Sequence, residues 1–378
     1  MATSGVMDPK PVKSSDTTSE NQKKSRFRHI RNGAFYSVVV SLVFLGGVYM
    51  GRERITPFIN TRSEYMVGIY AGNSPLDLKP VPGINPVMSS DMVTDVKASF
   101  TADPFLYKKD GIWYLFFEIM KSDDDKGVIA VARSSNGRKF EYDRVVLEEP
   151  FHLSYPYVFE YENEYYMIPE SQMDYSISLY KTDNFPYGWK KEQTLIEGNF
   201  LDPSLVHYKN DWYLFAADRN DVLHLFWAED LKGPWKTHEA SPIIKTDLEN
   251  ARPGGRMIVM GDTVIRYAQN CKPQYGWEIN AFLITDLSPN SYSEIPFAGN
   301  PLLKGSGVYS DWNGIRMHQI DPHQLEDGTW IAAVDGVGKW REFGFGFFGN
   351  RRAVSLGPKV VVKNPYASFS TTQVHTRE

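Results

Sequence analysis

Residues 102–118 read ADPFLYKKDGIWYLFFE, and residues 201–218 read LDPSLVHYKNDWYLFAAD. Each has a Pro-containing start, an apolar strand, a short polar turn and a second aromatic strand that ends in an acid. Three further stretches follow the same grammar: SYPYVFEYENEYYMIPE (154–170), ARPGGRMIVMGDTVIRYAQN (251–270) and QIDPHQLEDGTWIAAVDG (319–336). Their prolines stand at 104, 156, 203, 253 and 322, which gives spacings of 52, 47, 50 and 69. The central tetrads KKDG, YENE, YKND, MGDT and EDGT carry turn residues between strand formers, so each copy predicts an antiparallel hairpin. Short apolar runs follow the hairpins at Val128–Ser134, Ser176–Lys181, Leu223–Ala228 and Ile279–Leu283. Four strands per repeat, five times over, predict an all-β, five-bladed β-propeller. A two-layer sandwich is the competing architecture.

The repeat also predicts a rim. The first residue of a hairpin's first strand and the last residue of its second lie at the same end. Asp103, Asp202, Arg252 and Asp321 therefore share a face with Glu118, Glu170, Asp218, Asn270 and Asp335, and Tyr155 takes the equivalent place in the second blade. Radial repetition brings these residues around one axis although they are remote in sequence.

Composition agrees with a large β-rich body. The 378-residue chain is 42% hydrophobic and 14% aromatic, with 29 Gly and 23 Pro to punctuate short strands. Its formal charge is −5, from 46 acids against 41 bases, which offers no global field for a polyanion and argues against a nucleic-acid partner. A single cysteine, Cys271, excludes an internal disulfide and a cysteine-only zinc site.

Ahead of the repeats, residues 1–33 are polar and end in Lys23, Lys24, Arg26, Arg28 and Arg31, a composition that predicts a disordered tail. Ala34–Met50 (AFYSVVVSLVFLGGVYM) then runs seventeen residues without a charge. The run is long enough to cross a bilayer as a helix, and no small-residue cleavage site follows it. The expected organisation is a cytosolic tail (1–33), a transmembrane signal anchor (34–51), a stem (52–65), the propeller (66–365) and a C-terminal tail (366–378). Basic residues before the span and nearly balanced charge after it predict a type II topology, with the propeller in the lumen of the endoplasmic reticulum or Golgi. The chain has no N-x-[ST] sequon.

Asp-Pro at inner-strand starts in the first and third blades, with a Glu at the mouth of the fourth, resembles the five-bladed glycoside hydrolases of families 43 and 32. A closer likeness covers Met66 to Gly336. VGIYAGNSPLDL (67–78), NPVM (85–88), ADPFLY (102–107), FHLSYPYVFEY (151–161), ARPGGR (251–256) and RMHQID (316–321) resemble the N-terminal propeller domain of plant glucosamine inositolphosphorylceramide transferases. That family joins the propeller to a C-terminal transferase domain, which this chain is expected to lack. The resemblance implies a carbohydrate-active protein on a glycan or glycolipid, with a separate glycosyltransferase as a candidate partner. A non-catalytic glycan-binding or scaffolding propeller is the alternative.

Glycosidic cleavage requires one carboxylate to activate water or attack and one carboxylic acid to protonate the leaving oxygen. The family 43 pattern implies Asp103 as base, Asp202 as modulator and Glu249 as proton donor, with Glu170 as a rival donor at the same rim. Asp before Pro is also an ordinary turn cap. Glu249 lies in the polar stretch DLENAR, where solvated acids are common. Arg252 and Arg256 flank Pro253-Gly254-Gly255, an arrangement suited either to gripping an anionic ligand or to inter-blade ion pairs. Tyr155 and Asp321 complete the expected substrate-binding set. His318 stands where related hydrolases place an axial His near a divalent ion or water, and a packed core His is the alternative. No other cofactor is expected, since phosphate-cradling glycine motifs are absent from the sequence. Asp123-Asp124-Asp125 has the look of a cation-binding D-x-D but fits a solvated loop tip better.

Overall fold

The computed structural model describes residues 16–52 and 59–343. They form an N-terminal helix and a body of strands, which are separate units.

Helix α1 spans Asp16–Arg52. Its Gln22–Arg52 part contains an apolar window long enough to cross a membrane, none of it buried against protein. The helix continues back through residues 16–33, where composition favours a disordered tail. Gln, Lys and Arg are good helix formers, so a helix nucleated in the apolar run propagates into them at little cost.

The strands form five sheets. Blade one comprises Ala98–Lys109, Ile112–Lys121, Gly127–Ser134 and Glu141–Leu147. Blade two comprises Ser154–Tyr161, Glu164–Glu170, Ser176–Thr182 and Lys190–Glu197. Blade three comprises Leu201–Tyr208, Asp211–Ala217, Leu223–Ala228 and Lys236–Thr237. In blade four two short segments, Arg252–Pro253 and Ile258–Met260, both pair with Thr263–Asn270, followed by Glu278–Ser288 and Ser291–Pro296. Blade five joins the two ends of the body: Ile320–Gln324 and Trp330–Phe343 continue into Ile59–Ser74 and Asp77–Pro80. The ring therefore closes non-covalently, and the stretch expected to be a stem supplies a strand. The expected ends at 365 and 378 lie outside the described residues.

Burial explains why the blades hold together. Phe105, Tyr155, Tyr157, Leu205 and Trp212 form one core between blades one, two and three. Val67, Ile69, Leu106, Trp113 and Ile331 form another, which seals blade five against blade one. Gly255 joins blades four and five, because its backbone pairs in parallel with Ile320 and a Cβ there would sit 1.7 Å from the Ile320 carbonyl oxygen.

The inner strands of blades one to three share one irregularity. Pairing skips between Ala102 and Phe105, between Ser154 and Tyr157, and between Leu201 and Ser204. At each skip the residue before the proline has a positive φ: 51° at Asp103, 49° at Tyr155 and 49° at Asp202. Side-chain-bearing residues rarely adopt this left-handed conformation, and a following proline restricts them further. A bulge of this kind re-aims the side chain, and here it does so at the same level in three consecutive blades.

Candidate functional site

The axial end of the ring collects acids from four blades. Asp103, Glu118, Glu170, Asp202 and Asp335 are all at least nine-tenths buried, as is His318. Two of the acids hold the re-aimed backbone in place. Asp335 accepts the Asp103 N–H at 3.1 Å, and Glu170 accepts the Asp202 N–H at 3.2 Å. In both cases an acid from one blade's second strand fixes the bulge in the first strand of the next blade.

Cations answer some of this charge. Arg252 Nε donates to Asp202 at 2.5 Å, and its Nη2 stands 3.7 Å from Glu170. Gln269 also donates to Asp202, at 2.8 Å. His318 Nδ1 lies 2.8 Å from Asp335 and 3.8 Å from Asp103. Burial opposes the charge on His318, but Asp335 outweighs it and raises its pKa. Tyr65 stacks on the His318 ring at 4.4 Å, and Tyr275 meets it edge-on at 5.3 Å while lying 4.8 Å from the Arg252 guanidinium.

Two cations thus face five acids, and the excess appears as retained protons. Burial raises Asp103 to about 7; His318 draws it down and the Asp202 charge pushes it up. Glu118 is held well above the usual carboxylate range by burial and by Asp103 and Glu170. Glu170 is raised in the same way, by burial and then by Asp202, against the pull of Arg252. Glu118 Oε1 is buried without a hydrogen-bond partner. Its neighbour is His152 Nε2 at 3.4 Å, outside hydrogen-bond geometry. Since the Gly127 N–H donates to His152 Nδ1, the ring proton sits on Nε2, and burial keeps that imidazole neutral by lowering its pKa to about 4.

The remaining sequence-selected residues fall into three places. Tyr155 lies in the same blade as Glu170, its hydroxyl hydrogen-bonded with Ser204 Oγ at 2.7 Å and donating to the Gly255 carbonyl at 3.1 Å. Asp321 and Arg256 pair with each other at 2.5 Å, away from the acid rim. Arg256 also donates to the Val158 carbonyl at 2.9 Å, while Asp321 accepts from the Leu106 N–H and faces His323. Although burial opposes it, Arg256 holds Asp321 below its usual range. Glu249 stands apart from the cluster, 44% exposed and paired with Lys272 at 2.9 Å. The Gly254-Gly255 step approaches the neighbouring blade, Arg252 engages the axial acids Asp202 and Glu170, and Arg256 engages Asp321. Asp124 is an exposed partner of Lys121.

Sequence reasoning placed Glu118 and Asp335 on the rim without assigning them a site role. It did not single out Tyr65, His152, Gln269 or Tyr275. The rim position of Glu118 and Asp335 was a usable signal, whereas the other four reach the site through pairing and loop packing that no local pattern records.

Asp103, His318 and Asp335 place one ligand atom each within 4.8 Å of one another, close enough to consider a cation. Their chemistry does not fit one. Both Asp335 oxygens accept backbone N–H groups, and His318 Nδ1 is engaged with Asp335. His318 and Asp335 form a hydrogen-bonded ion pair, and the Asp103 carboxylate stands 3.8 Å from His318 Nδ1.

A family profile described as "Glucosamine inositolphosphorylceramide transferase 1, N-terminal" matches residues 60–337. The glucosamine inositolphosphorylceramide transferase 1 of Oryza sativa subsp. japonica is 35% identical over 324 residues, covering 78% of this chain and 43% of that protein. Its Arabidopsis thaliana counterpart is 33% identical over 303 residues, covering 73% of this chain and 39% of that protein. The chain therefore spans about two-fifths of the length of these curated relatives. Among solved structures, a β-1,2-mannobiose phosphorylase from Listeria innocua aligns with a TM-score of 0.50 at 13% identity, over 71% of this chain and 96% of that one. A putative glycoside hydrolase from Bacteroides ovatus gives 0.50 at 11% identity, over 69% and 97%. At such identities the likeness concerns the fold.

Proposed function

The chain belongs to the family defined by the N-terminal region of glucosamine inositolphosphorylceramide transferase 1, and from that premise we propose that it acts on a glycosidic bond of a glycan or glycolipid. One observation carries this reading: five buried acids converge on two cations, and their burial and mutual charge raise the pKa values of Glu118 and Glu170 and lift Asp103 to about 7. A protonated carboxylic acid beside a carboxylate that ionises near pH 7 is the pair that glycosidic cleavage requires. In this scheme Glu170 or Glu118 protonates the leaving oxygen. Asp103 takes the proton of the incoming water or attacks the anomeric carbon. Asp202, fixed by Arg252 and Gln269, keeps the Glu170 proton on through its charge. Glu249, paired with Lys272 at the surface, has no part in the scheme.

Helix α1 serves as a single-pass anchor in this reading. The basic residues before its apolar run set the N-terminus in the cytosol and the propeller in the lumen of the endoplasmic reticulum or Golgi. A separate glycosyltransferase is the proposed partner, since the curated relatives carry this region within longer transferases.

A second reading, a glycan-binding or scaffolding propeller, draws support from the cross-blade pairs Asp202–Arg252 and Asp321–Arg256 and from the Asp335–His318 pair within blade five, which engage charge that a ligand would otherwise meet. Turnover separates the two. The detergent-solubilised full chain is expected to release sugar from a panel of glycans and glycosides. Asp103→Asn is expected to cut that release at least about a hundredfold at unchanged melting temperature. No release from any substrate, or full release by the Asp103→Asn plus Asp202→Asn double variant, contradicts catalysis.

A further inference from the structure

A cavity of about 410 Å³ opens beside the axial cluster, between the segment 271–277 and the segment 304–315. Its size is within the range of small-molecule sites. The segment 271–277 separates the two places. Lys272 N–H donates to Asn270 Oδ1 and Trp277 N–H to the Asn270 carbonyl, which ties both ends of the segment to the rim. Gly276 packs on His318, where a Cβ would meet the imidazole at 2.6 Å, and Tyr275 faces the axial charges. Gln274 and Trp277 line the cavity on the other side.

The lining is selective in kind. Trp277 and Tyr309 supply aromatic surface, and Tyr309 is 69% exposed. Aromatic faces of this sort suit the apolar C–H face of a sugar or polyol ring. Lys304 and Lys339 bring two ammonium groups, and neither side chain makes an ion pair or hydrogen bond among the described residues. Glu278 is the acid in the lining, and its Oε1 accepts from Asn270 Nδ2 at 2.9 Å. The balance leaves one positive charge in excess, next to groups that hydrogen-bond hydroxyls: the Gln274 amide and the Ser63 hydroxyl, which donates to the Gly338 carbonyl and still offers lone pairs.

We infer that this cavity binds an anionic saccharide, a pyranose-sized ring bearing a phosphate or a carboxylate, with the ring against Trp277 and the anion between Lys304 and Lys339. The site is distinct from the axial acids and does not depend on their proposed chemistry.

Binding to the detergent-solubilised full chain, followed by tryptophan fluorescence and calorimetry, tests it with four probes: glucose 6-phosphate, glucuronate, glucose and inorganic phosphate. At least one anionic sugar is expected to bind tenfold or more tighter than glucose and than inorganic phosphate. Which of the two does so tells a phosphate ligand from a carboxylate. The preference is expected to vanish in the Lys304→Gln plus Lys339→Gln double variant, whose exposed substitutions leave the melting temperature unchanged, and to persist in Asp103→Asn. Equal affinity for glucose, equal affinity for bare phosphate, or a preference that survives loss of both lysines overturns the assignment. Loss of binding in Asp103→Asn also overturns it, because the ligand then belongs to the axial site.

Discussion

Glu118 shows most plainly what the axial environment does to one side chain. It is a buried acid without a hydrogen bond at Oε1, surrounded by Asp103, Glu170, Asp202 and Asp335. Its pKa is raised in the folded state, as are those of Asp103, from 3.8 to about 7, and of Glu170. Between the unfolded and folded values the native protein binds more protons than the unfolded chain, so stability falls as pH rises through that window. His318, also raised, acts in the same direction above its unfolded value of 6.5. Asp321 and His152 are lowered and act oppositely: Asp321 loses its contribution only in acid below 3.8, and neutral His152 loses its own as pH falls from 6.5 toward about 4. The melting temperature of the full chain is therefore expected to be highest near pH 5 and to decline toward pH 8. Glu118→Gln, which fixes the neutral form, is expected to flatten that decline. A melting temperature that rises from pH 5 to 8 in the wild type contradicts the assignment.

Elements position these residues by two devices, and the sequence revealed them unequally. The hairpins were legible because turn tetrads and aromatic strands announce themselves locally. The bulges at Asp103, Tyr155 and Asp202 were not, since Asp-Pro and Tyr-Pro read equally well as regular strand starts, and only the pairing shows the skipped residue. The strand Ile59–Ser74 was read in part as a stem because its partner, Trp330–Phe343, lies at the far end of the body. The second device is the close approach of blade four to blade five. Gly255 has φ 150° and leaves no room for a Cβ against the Ile320 carbonyl. Its own carbonyl accepts from Tyr155 and Ser204, so Gly255 links blades two, three, four and five. Gly255→Ala is expected to destabilise the propeller by roughly 2–4 kcal/mol, through backbone displacement and strain in a conformation that L-residues avoid. Chemical denaturation measures this, and a cost below about 0.5 kcal/mol contradicts the role given to the contact.

For the whole molecule, closure of the ring is what makes a site out of dispersed acids. Asp103 stands in blade one, Glu170 in blade two, Asp202 in blade three and Asp335 in blade five, and none has another's charge nearby in sequence. Repeat spacing foretold this convergence, because five hairpin-led sheets at near-regular spacing favour a closed ring over the competing two-layer sandwich. It could not foretell which acids would be paired. Arg252 meets Asp202 through inter-blade geometry and His318 meets Asp335 across the two paired strands of blade five, while Glu249, close to Arg252 in sequence, turns outward to Lys272. The retained protons are thus a property of the closed ring and would disappear with it. Titration of the Asp103 carboxyl in the intact chain, by ¹³C NMR of selectively labelled aspartate assigned with Asp103→Asn, measures that property most directly. The account predicts a midpoint about 7. A midpoint near 4, the ordinary aspartate value, would mean that the acids of the other blades and the burial they share do not act on Asp103, and would contradict the convergence on which the proposed chemistry stands.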